Sequence, residues 1–302
     1  MKVLIIGLGS IAKKHINAIK QIDPSAELYA LRSTSISEQY ENVKNVFSID
    51  ECPEIDFVII SNPTAFHADA IKKVASLKKH LFIEKPPFHT LEDVDEILNL
   101  VSENQLKTYT AFNLRFLDCL NYVKKNIQTS KVQEVNVYCG SYLPEWRSNT
   151  DYKNNYSANS DMGGGAHLDL IHELDYVLWI FGQPLEVRSI LRSKSKIDIK
   201  AIDYANYALI YNDFVVNIIL NYYRRDAKRT CEIIFDDVTW NVNLLKNNIT
   251  NTENNSFVFQ SKQTGLDTYK DQMEYFYKTI SRNEMLSNSL SESVNTLKIA
   301  LS

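Results

Sequence analysis

The chain has 302 residues, 44% of them hydrophobic and 23% charged, which is enough for two domains with a sizeable core and is a normal globular balance. Its net charge of −4 argues against a nucleic-acid footprint, no apolar stretch nears the length of a bilayer span, and the four cysteines (Cys52, Cys119, Cys139, Cys231) are scattered without a C-x-x-C pair, as reduced thiols would be. With a strand starting at residue 2 there is no signal peptide, so a cytoplasmic protein with neither nucleic acid nor membrane as partner is expected.

Lys2 to Ile6 is a short apolar run with β-branched residues, the composition of a buried parallel strand. Gly7-Leu8-Gly9-Ser10-Ile11-Ala12 follows at once, and an amphipathic run then places Ile11, His15, Ile16 and Ile19 near helical spacing. Strand, glycine turn and helix in that order give this G-x-G-x-x-A pattern the context of a dinucleotide site. Gly7 permits the tight turn, Gly9 lets backbone approach a pyrophosphate, and Ala12 lets the helix lie close to the strand. Gly7, Gly9, Ser10, Ile11 and Ala12 are therefore expected to hold the pyrophosphate, at a helix N-terminus whose free N–H groups and dipole favour an anion. Leu28 to Leu31 is the expected second strand. Arg32-Ser33-Thr34 comes after it, where NAD-preferring folds usually carry an acidic residue for the ribose 2′-hydroxyl. A guanidinium and two hydroxyls suit a 2′-phosphate, so of the two cofactors, NADP and NAD, the sequence favours NADP.

Phe57 to Ile60 is the third clear strand, broken by Ser61-Asn62-Pro63-Thr64, and Phe66 to Leu77 resumes as a helix. His80 to Ile83 is the next strand, with Glu84-Lys85-Pro86-Pro87 at its C-terminal end. Ligands of open α/β sheets bind outside the carboxyl ends of the strands, so the ends at Gly7, Ser61 and Glu84 should converge on one crevice. Thr90-Leu91-Glu92-Asp93 is a capping-box variant that predicts a helix over Leu91 to Val101. Thr108 to Phe112 closes the series, followed by Asn113 and Arg115. Strand and helix alternate throughout, which makes residues 1–120 a doubly wound parallel α/β domain of Rossmann type.

Residues 121–302 change character. A helix from Leu120 to about Ile127 precedes strand-like stretches at Glu134 to Tyr142, Glu186 to Ser193, Tyr204 to Tyr211, Phe214 to Tyr223, Thr230 to Phe235 and Val238 to Leu244. Asn212-Asp213 and Asp236-Asp237 are turn pairs, so the last four read as two hairpins of an antiparallel meander. Gly165 to Phe181 is the one helical interruption, the asparagine-rich stretch 241–255 is a loop or an edge hairpin, and Tyr269 to Ile280 and Leu290 to Ala300 are closing helices. This is an α+β domain.

Three groups can carry chemistry. Lys85 stands at a strand end ahead of two prolines that fix the backbone, where an amine can act as acid or base or polarise a substrate oxygen. Gly163-Gly164-Gly165-Ala166-His167-Leu168-Asp169-Leu170-Ile171-His172-Glu173-Leu174-Asp175 combines glycines that let backbone pass a ligand with Asp169 and His172, three apart on the expected helix and so on one face. A carboxylate beside an imidazole can fix its tautomer and suit it to proton transfer with a carbinol oxygen. The same cluster has the residue types of a metal site, a reading set aside because the resemblance given next explains it without a metal. His167 and Asp175 are further candidates for the site. Finally, Tyr142, Trp146 and Arg147, with Asp151, Tyr152 and Tyr156, offer aromatic faces, an arginine and a carboxylate to a polyhydroxylated ligand, or else pack on the sheet.

Over nearly its whole length the chain resembles the Gfo/Idh/MocA oxidoreductases, the family of glucose-fructose oxidoreductase and inositol dehydrogenase. The features that carry the resemblance are the G-x-G-x-x-A turn, Asn62-Pro63-Thr64 with His67, Glu84-Lys85-Pro86, Asn113 with Arg115-Phe116, the Gly163–Gly165 run with its Asp and His, and the late strands. The resemblance implies a nicotinamide-binding N-terminal domain and a C-terminal domain whose open, mostly antiparallel sheet forms oligomer contacts, so a homo-oligomer, dimer or tetramer, is expected. It implies hydride transfer between nicotinamide and a carbinol or carbonyl of a sugar, cyclitol or nucleotide-sugar, with Lys85, Asp169 and His172 as the catalytic set. Ser61, Asn62, Pro63, His67, Glu84, Lys85, Asn113 and Arg115 join the cofactor contacts, and Lys85, Arg115, Tyr142, Trp146, Arg147, Tyr152, Asp169 and His172 the substrate contacts. One departure is that many members place the Asp four residues before the His, and here it stands three before. Two alternatives stay open: a redox-neutral epimerase or glycosidase with tightly bound NAD, and a non-catalytic dinucleotide-binding sensor.

Overall fold

The structure, a computed structural model, describes residues 1–33, 40–147, 151–193 and 195–302. The chain divides into two compact units, one comprising Met1–Phe112 with Tyr269–Asn295 and the other Asn113–Thr268 with Thr296–Ser302.

In the first unit, β1 (Lys2–Ile6), β2 (Glu27–Leu31), β3 (Val43–Val46), β4 (Phe57–Ile60), β5 (His80–Ile83) and β6 (Thr108–Thr110) form one sheet in the order β3-β2-β1-β4-β5-β6. Every pairing is parallel. The order reverses between β1 and β4, which makes the ends of these strands at Ile6 and Ile60 the topological switch point, where open α/β sheets bind their ligands. The helices α1 (Ser10–Ile22), α2 (His67–Val74) and α3 (Val94–Glu103) make the crossovers. Parallel strands covered on both faces must be apolar throughout, and Val3, Leu4, Ile5 and all four residues of β4 are fully buried. The strand β3 has only two apolar residues in four, Val43 and Val46, which is why the sequence pattern does not announce it. Thr90 does not cap a helix: α3 starts at Val94 with Asp93 at its N-cap.

The chain returns to this unit near its end, through α7 (Asp267–Ser281) and α8 (Leu290–Ala300). Phe276 of α7 sits edge-on to Phe57 at 5.2 Å and to Phe82 at 5.4 Å, and is 6.0 Å from Tyr109. Residue 288 covers the free edge of β6, its carbonyl accepting from the Thr110 amide at 3.0 Å while Asn288 Nδ2 donates to the Thr110 carbonyl at 2.5 Å.

In the second unit, α4 (Asp118–Asn126), α5 (Ala166–Asp169) and α6 (His172–Phe181) accompany eight strands, β7 (Val132–Gly140), β8 (Glu186–Arg192), β9 (Tyr204–Ile210), β10 (Val215–Asn221), β11 (Lys228–Phe235), β12 (Thr239–Asn243), β13 (Asn248–Asn251) and β14 (Phe257–Gln260). Their order is β14-β13-β12-β11-β7-β10-β9-β8. The two expected hairpins are present, β9 with β10 and β11 with β12, but they are not neighbours in a meander. Instead β7 inserts between them, parallel to β10 and antiparallel to β11. The asparagine-rich stretch provides an edge hairpin, with β13 paired to both β12 and β14. Burial alternates along β9 and along β10 as far as Leu220: Ala205, Tyr207, Leu209, Val216, Ile218 and Leu220 are fully buried beneath the helices. Each Leu, Ile or Val so buried contributes about 1.5–3 kcal/mol. The intervening residues face outward, and on that side Ile190 is 54% and Tyr223 41% exposed.

The helix expected over Gly165 to Phe181 is two helices. Leu170 (φ −98°, ψ 24°) closes α5, and the Ile171 amide bonds to Leu168 rather than one residue further back, so α6 starts afresh at His172. Among the described residues no helix is long and apolar enough to cross a membrane. Cys119, Cys139 and Cys231 are buried, and burial pushes the Cys119 thiol up to about 12.

Candidate active site

In the first unit, Gly7 adopts φ +87°, and a Cβ there would lie 2.3 Å from the Asn62 amide nitrogen. Only glycine lets the end of β1 press against the end of β4 in this way. The Ser61 hydroxyl fastens the contact by donating to the Gly7 carbonyl at 2.8 Å. Gly9 has ordinary extended backbone (φ −89°, ψ −169°) as N-cap of α1, and a Cβ built there meets nothing within 4 Å. The first helical hydrogen bond runs from Lys13 to the Gly9 carbonyl, which leaves the amides of Ser10, Ile11 and Ala12 at the positions where helix N–H groups lack an intrahelical acceptor. Asn62 Oδ1, buried at the same turn, has no hydrogen-bond partner. A turn with open space, donor amides and the positive end of a helix fits a dinucleotide pyrophosphate.

Arg32 follows β2 half-buried, its amide bonded to the Val46 carbonyl at 2.8 Å, and Ser33 is exposed. Thr34 lies outside the described residues. Pro63 is the N-cap of a short turn, Thr64–Phe66, ahead of α2. His67 is buried, with Nε2 2.9 Å from the Asn62 carbonyl and Nδ1 3.2 Å from the Pro87 carbonyl. Burial pulls its pKa below the usual histidine value. Both ring nitrogens thus face backbone carbonyls, and the ring links the loop after β4 to the loop after β5. Glu84 is also buried. Its Oε2 accepts from the Lys85 amide at 3.1 Å and its Oε1 lies 2.5 Å from His15 Nε2. Lys85 itself is half-buried, and the bond to Pro86 is cis.

In the second unit, Asp169 is the hub. Tyr222, fully buried, donates to Asp169 Oδ2 at 2.6 Å, and Tyr156 hydrogen-bonds to the same carboxylate. The negative charge and burial together raise both phenols well above the usual tyrosine range, Asp169 being the larger cause for Tyr156 and burial for Tyr222. Gly164 makes this possible: a Cβ there would lie 2.1 Å from the Tyr156 carbonyl, so the glycine run lets the backbone of residues 156–157 press close to the start of α5. His167 is 6% exposed, and burial lowers its pKa to about 4 against the opposing pull of Asp169. His172 stands half-buried at the first position of α6. Because α5 ends at Asp169, the shared-face argument for these two residues does not apply.

Other expected contacts have protein partners. Arg115 places Nε 2.9 Å and Nη2 2.7 Å from the two oxygens of Asp175, a bidentate pair with Asp175 buried. Asn113 Nδ2 donates to Thr268 Oγ1 at 2.7 Å. The aromatic loop leans on the tyrosines that hold Asp169. Trp146 is edge-on to Tyr222 at 5.2 Å with Nε1 donating to Ser141, and Arg147 lies over the Tyr156 ring at 5.7 Å with Nη1 donating to Asn155. Tyr142 stacks under Arg225 at 3.7 Å, and Tyr152 is half-buried in the turn Tyr152–Asn154. Sequence reasoning passed over Tyr222, which reads as one more strand residue, and His15, which reads as one more apolar position of α1. Glu173 also escaped it, fully buried with both oxygens on Arg229 at 2.6 and 3.0 Å.

The fold and the dinucleotide turn define an oxidoreductase scaffold with an NAD(P)-binding Rossmann unit. Residues 1–112 match the family model described as an oxidoreductase family with an NAD-binding Rossmann fold, and residues 121–240 match that of the GFO/IDH/MocA C-terminal domain. The chain belongs to the Gfo/Idh/MocA family. It is 28% identical to myo-inositol 2-dehydrogenase of Thermotoga maritima over 196 residues, 62% of this chain and 56% of that protein. It is 24% identical to glucose-6-phosphate 3-dehydrogenase of Bacillus subtilis over 241 residues, 72% of this chain and 67% of that protein. The chain spans about half the length of several curated relatives that it matches. UDP-N-acetylglucosamine 3-dehydrogenase GnnA of Acidithiobacillus ferrooxidans shares the fold with a TM-score of 0.79 at 19% identity, over 100% of this chain and 95% of that chain.

Proposed function

We propose that the chain is an NAD(P)-dependent dehydrogenase or reductase of a sugar, cyclitol or nucleotide-sugar. The observation that carries this reading is Lys85, held by buried Glu84 at the carboxyl end of β5 in the sheet whose switch point opens at Gly7. The dinucleotide, when bound, supplies the hydride acceptor or donor. Gly7 to Ala12 would receive its pyrophosphate, and Arg32 with Ser33 would meet its adenosine ribose, where a guanidinium would favour the 2′-phosphate of NADP. In the oxidative direction Lys85 or His172 would take the proton of the substrate hydroxyl as that oxygen becomes a carbonyl. Reduction runs the same transfer backwards. Asp169 is held in place by two phenols, and Trp146, Arg147 and Tyr142 would hold the rest of the sugar.

The first 120 residues would bind the dinucleotide, and the remainder the substrate and other subunits. The outward face of the eight-stranded sheet, with Ile190 and Tyr223 exposed, supports a homo-oligomer, dimer or tetramer, and four scattered cysteines without a C-x-x-C pair suit the cytoplasm. The test is a panel of myo-inositol, glucose 6-phosphate and UDP-N-acetylglucosamine with each nucleotide, followed by nicotinamide absorbance. Turnover of one substrate, abolished by Lys85→Ala with nucleotide binding intact, supports the reading. A protein that binds neither nucleotide, or a Lys85→Ala variant with near-normal turnover, overturns it.

A further inference from the structure

His15 lies mid-helix in α1 with no exposed surface, on a face otherwise lined by Ala12, Ile16 and Ile19. Its ring stands edge-on to Phe82 at 4.9 Å and lies 5.8 Å from Tyr269. A polar ring in such a place must have a reason, because burying hydrogen-bonding atoms without partners destabilises the fold. Nε2 has a partner, Glu84 Oε1 at 2.5 Å, and Nδ1 has none. The tautomer with its hydrogen on Nε2 accounts for both: it donates to the carboxylate and leaves only a lone pair at Nδ1. Glu84 then turns its second oxygen to the backbone amide of Lys85 at 3.1 Å. On the far side of the same segment, His67 meets the Pro87 carbonyl.

The geometry points to His15 as a positioning residue for Lys85. By donating to Glu84 it fixes the carboxylate that holds the Lys85 amide, and so it sets where the amine projects from the end of β5. A carboxylate 7% exposed, without that donor, would turn toward water and release the amide. The functional part of the inference rests on Lys85 being the proton carrier proposed above; the structural part does not.

The test uses the full chain labelled with 15N-lysine. Exchange of the Lys85 amide proton is compared in the wild type, His15→Leu and His15→Gln, with the Lys72 amide in α2 as internal reference. Leucine keeps the bulk and removes the donor, whereas glutamine restores an N–H of similar reach. Exchange at Lys85 is expected to quicken roughly tenfold or more in His15→Leu and to stay near wild type in His15→Gln. Unchanged exchange in His15→Leu, or exchange in His15→Gln as fast as in His15→Leu, overturns the inference. Glu84→Ala probes the chain from its other end should His15→Leu not fold. With the carboxylate gone the Lys85 amide loses its acceptor, so exchange quickens there as well, and unchanged exchange overturns the inference. On the substrate found in the panel, His15→Leu should lower kcat with KM unchanged, and His15→Gln should restore it. If Lys85→Ala keeps turnover, the proton-carrier role fails while the exchange result stands. If Lys85→Ala abolishes turnover and His15→Leu leaves kcat unaltered, the positioning role fails alone.

Discussion

The phenol of Tyr222 and the carboxylate of Asp169 meet at 2.6 Å in a place where Tyr222 has no contact with solvent. A hydrogen bond to a charged acceptor contributes about 1.5–3 kcal/mol, and removing one donor leaves the carboxylate short of a partner. Tyr222→Phe is therefore expected to lower stability by about 2 kcal/mol. Urea unfolding measures this, and a Tyr222→Phe chain as stable as the wild type would contradict it.

Arg115, partly buried, and Asp175, fully buried, form a bidentate pair, so neither is available as a loose surface charge. Asp175→Leu alone strands a guanidinium and should cost about 3–5 kcal/mol. Adding Arg115→Met removes both charges and should recover most of that loss. A double variant no more stable than Asp175→Leu would show that the pairing is not what the two residues are worth to the fold.

Gly7 and Gly9 make opposite demands on an added methyl group. At Gly7 a Cβ collides with Asn62 and the φ of +87° is strained, so Gly7→Ala should lower the melting temperature. At Gly9 the backbone is ordinary and the space is open, so Gly9→Ala should fold normally yet bind NADH roughly tenfold more weakly. Thermal melts paired with nucleotide titration separate the two, and an unaltered NADH affinity in Gly9→Ala would remove the pyrophosphate from that turn.

His167 binds its proton near pH 4 in the fold and near 6.5 when unfolded. Between those values the unfolded chain takes up a proton that the folded chain refuses. The stability owed to this residue is full above pH 6.5, falls as the pH drops and levels off below about 4, a change of about 3 kcal/mol at most. His167→Gln should flatten that slope. An equally steep loss between those pH values in the variant would assign it to other groups.

Arg32→Ala should reduce the ratio of NADPH to NADH affinity by roughly tenfold, since a charge-assisted bond to a phosphate is what distinguishes the two nucleotides. Isothermal titration with both settles it, and an unchanged ratio removes Arg32 from the selection.

The parallel half was legible because buried strands and glycine turns leave local marks: Lys2 to Ile6, Phe57 to Ile60 and His80 to Ile83 each stand where the apolar runs put them. What escaped depends on contacts remote in sequence. The place of β7 between two hairpins is decided by partners some 80–100 residues away, and no period in the chain records it. The break at Leu170 was hidden because Ala166 to Phe181 is apolar and helix-compatible throughout. At the site, glycine spacing and Glu84-Lys85-Pro86 were visible as text, whereas the partners of Asp169, Arg115 and Glu84 became known only when Tyr222, Asp175 and His15 were placed beside them.

The return of Tyr269–Asn295 to the first unit bears on the order in which the protein is made. When residue 112 leaves the ribosome, the six strands exist but Phe57, Phe82 and Tyr109 lack the ring of Phe276 that completes their cluster, and β6 has an open edge until residue 288 arrives. More than half of the chain must be synthesised in the interval. Until then the nascent first 112 residues carry an unpaired strand edge and an incomplete aromatic cluster, and a gene fragment ending at residue 112 is expected to yield an aggregating sheet rather than a working nucleotide-binding module.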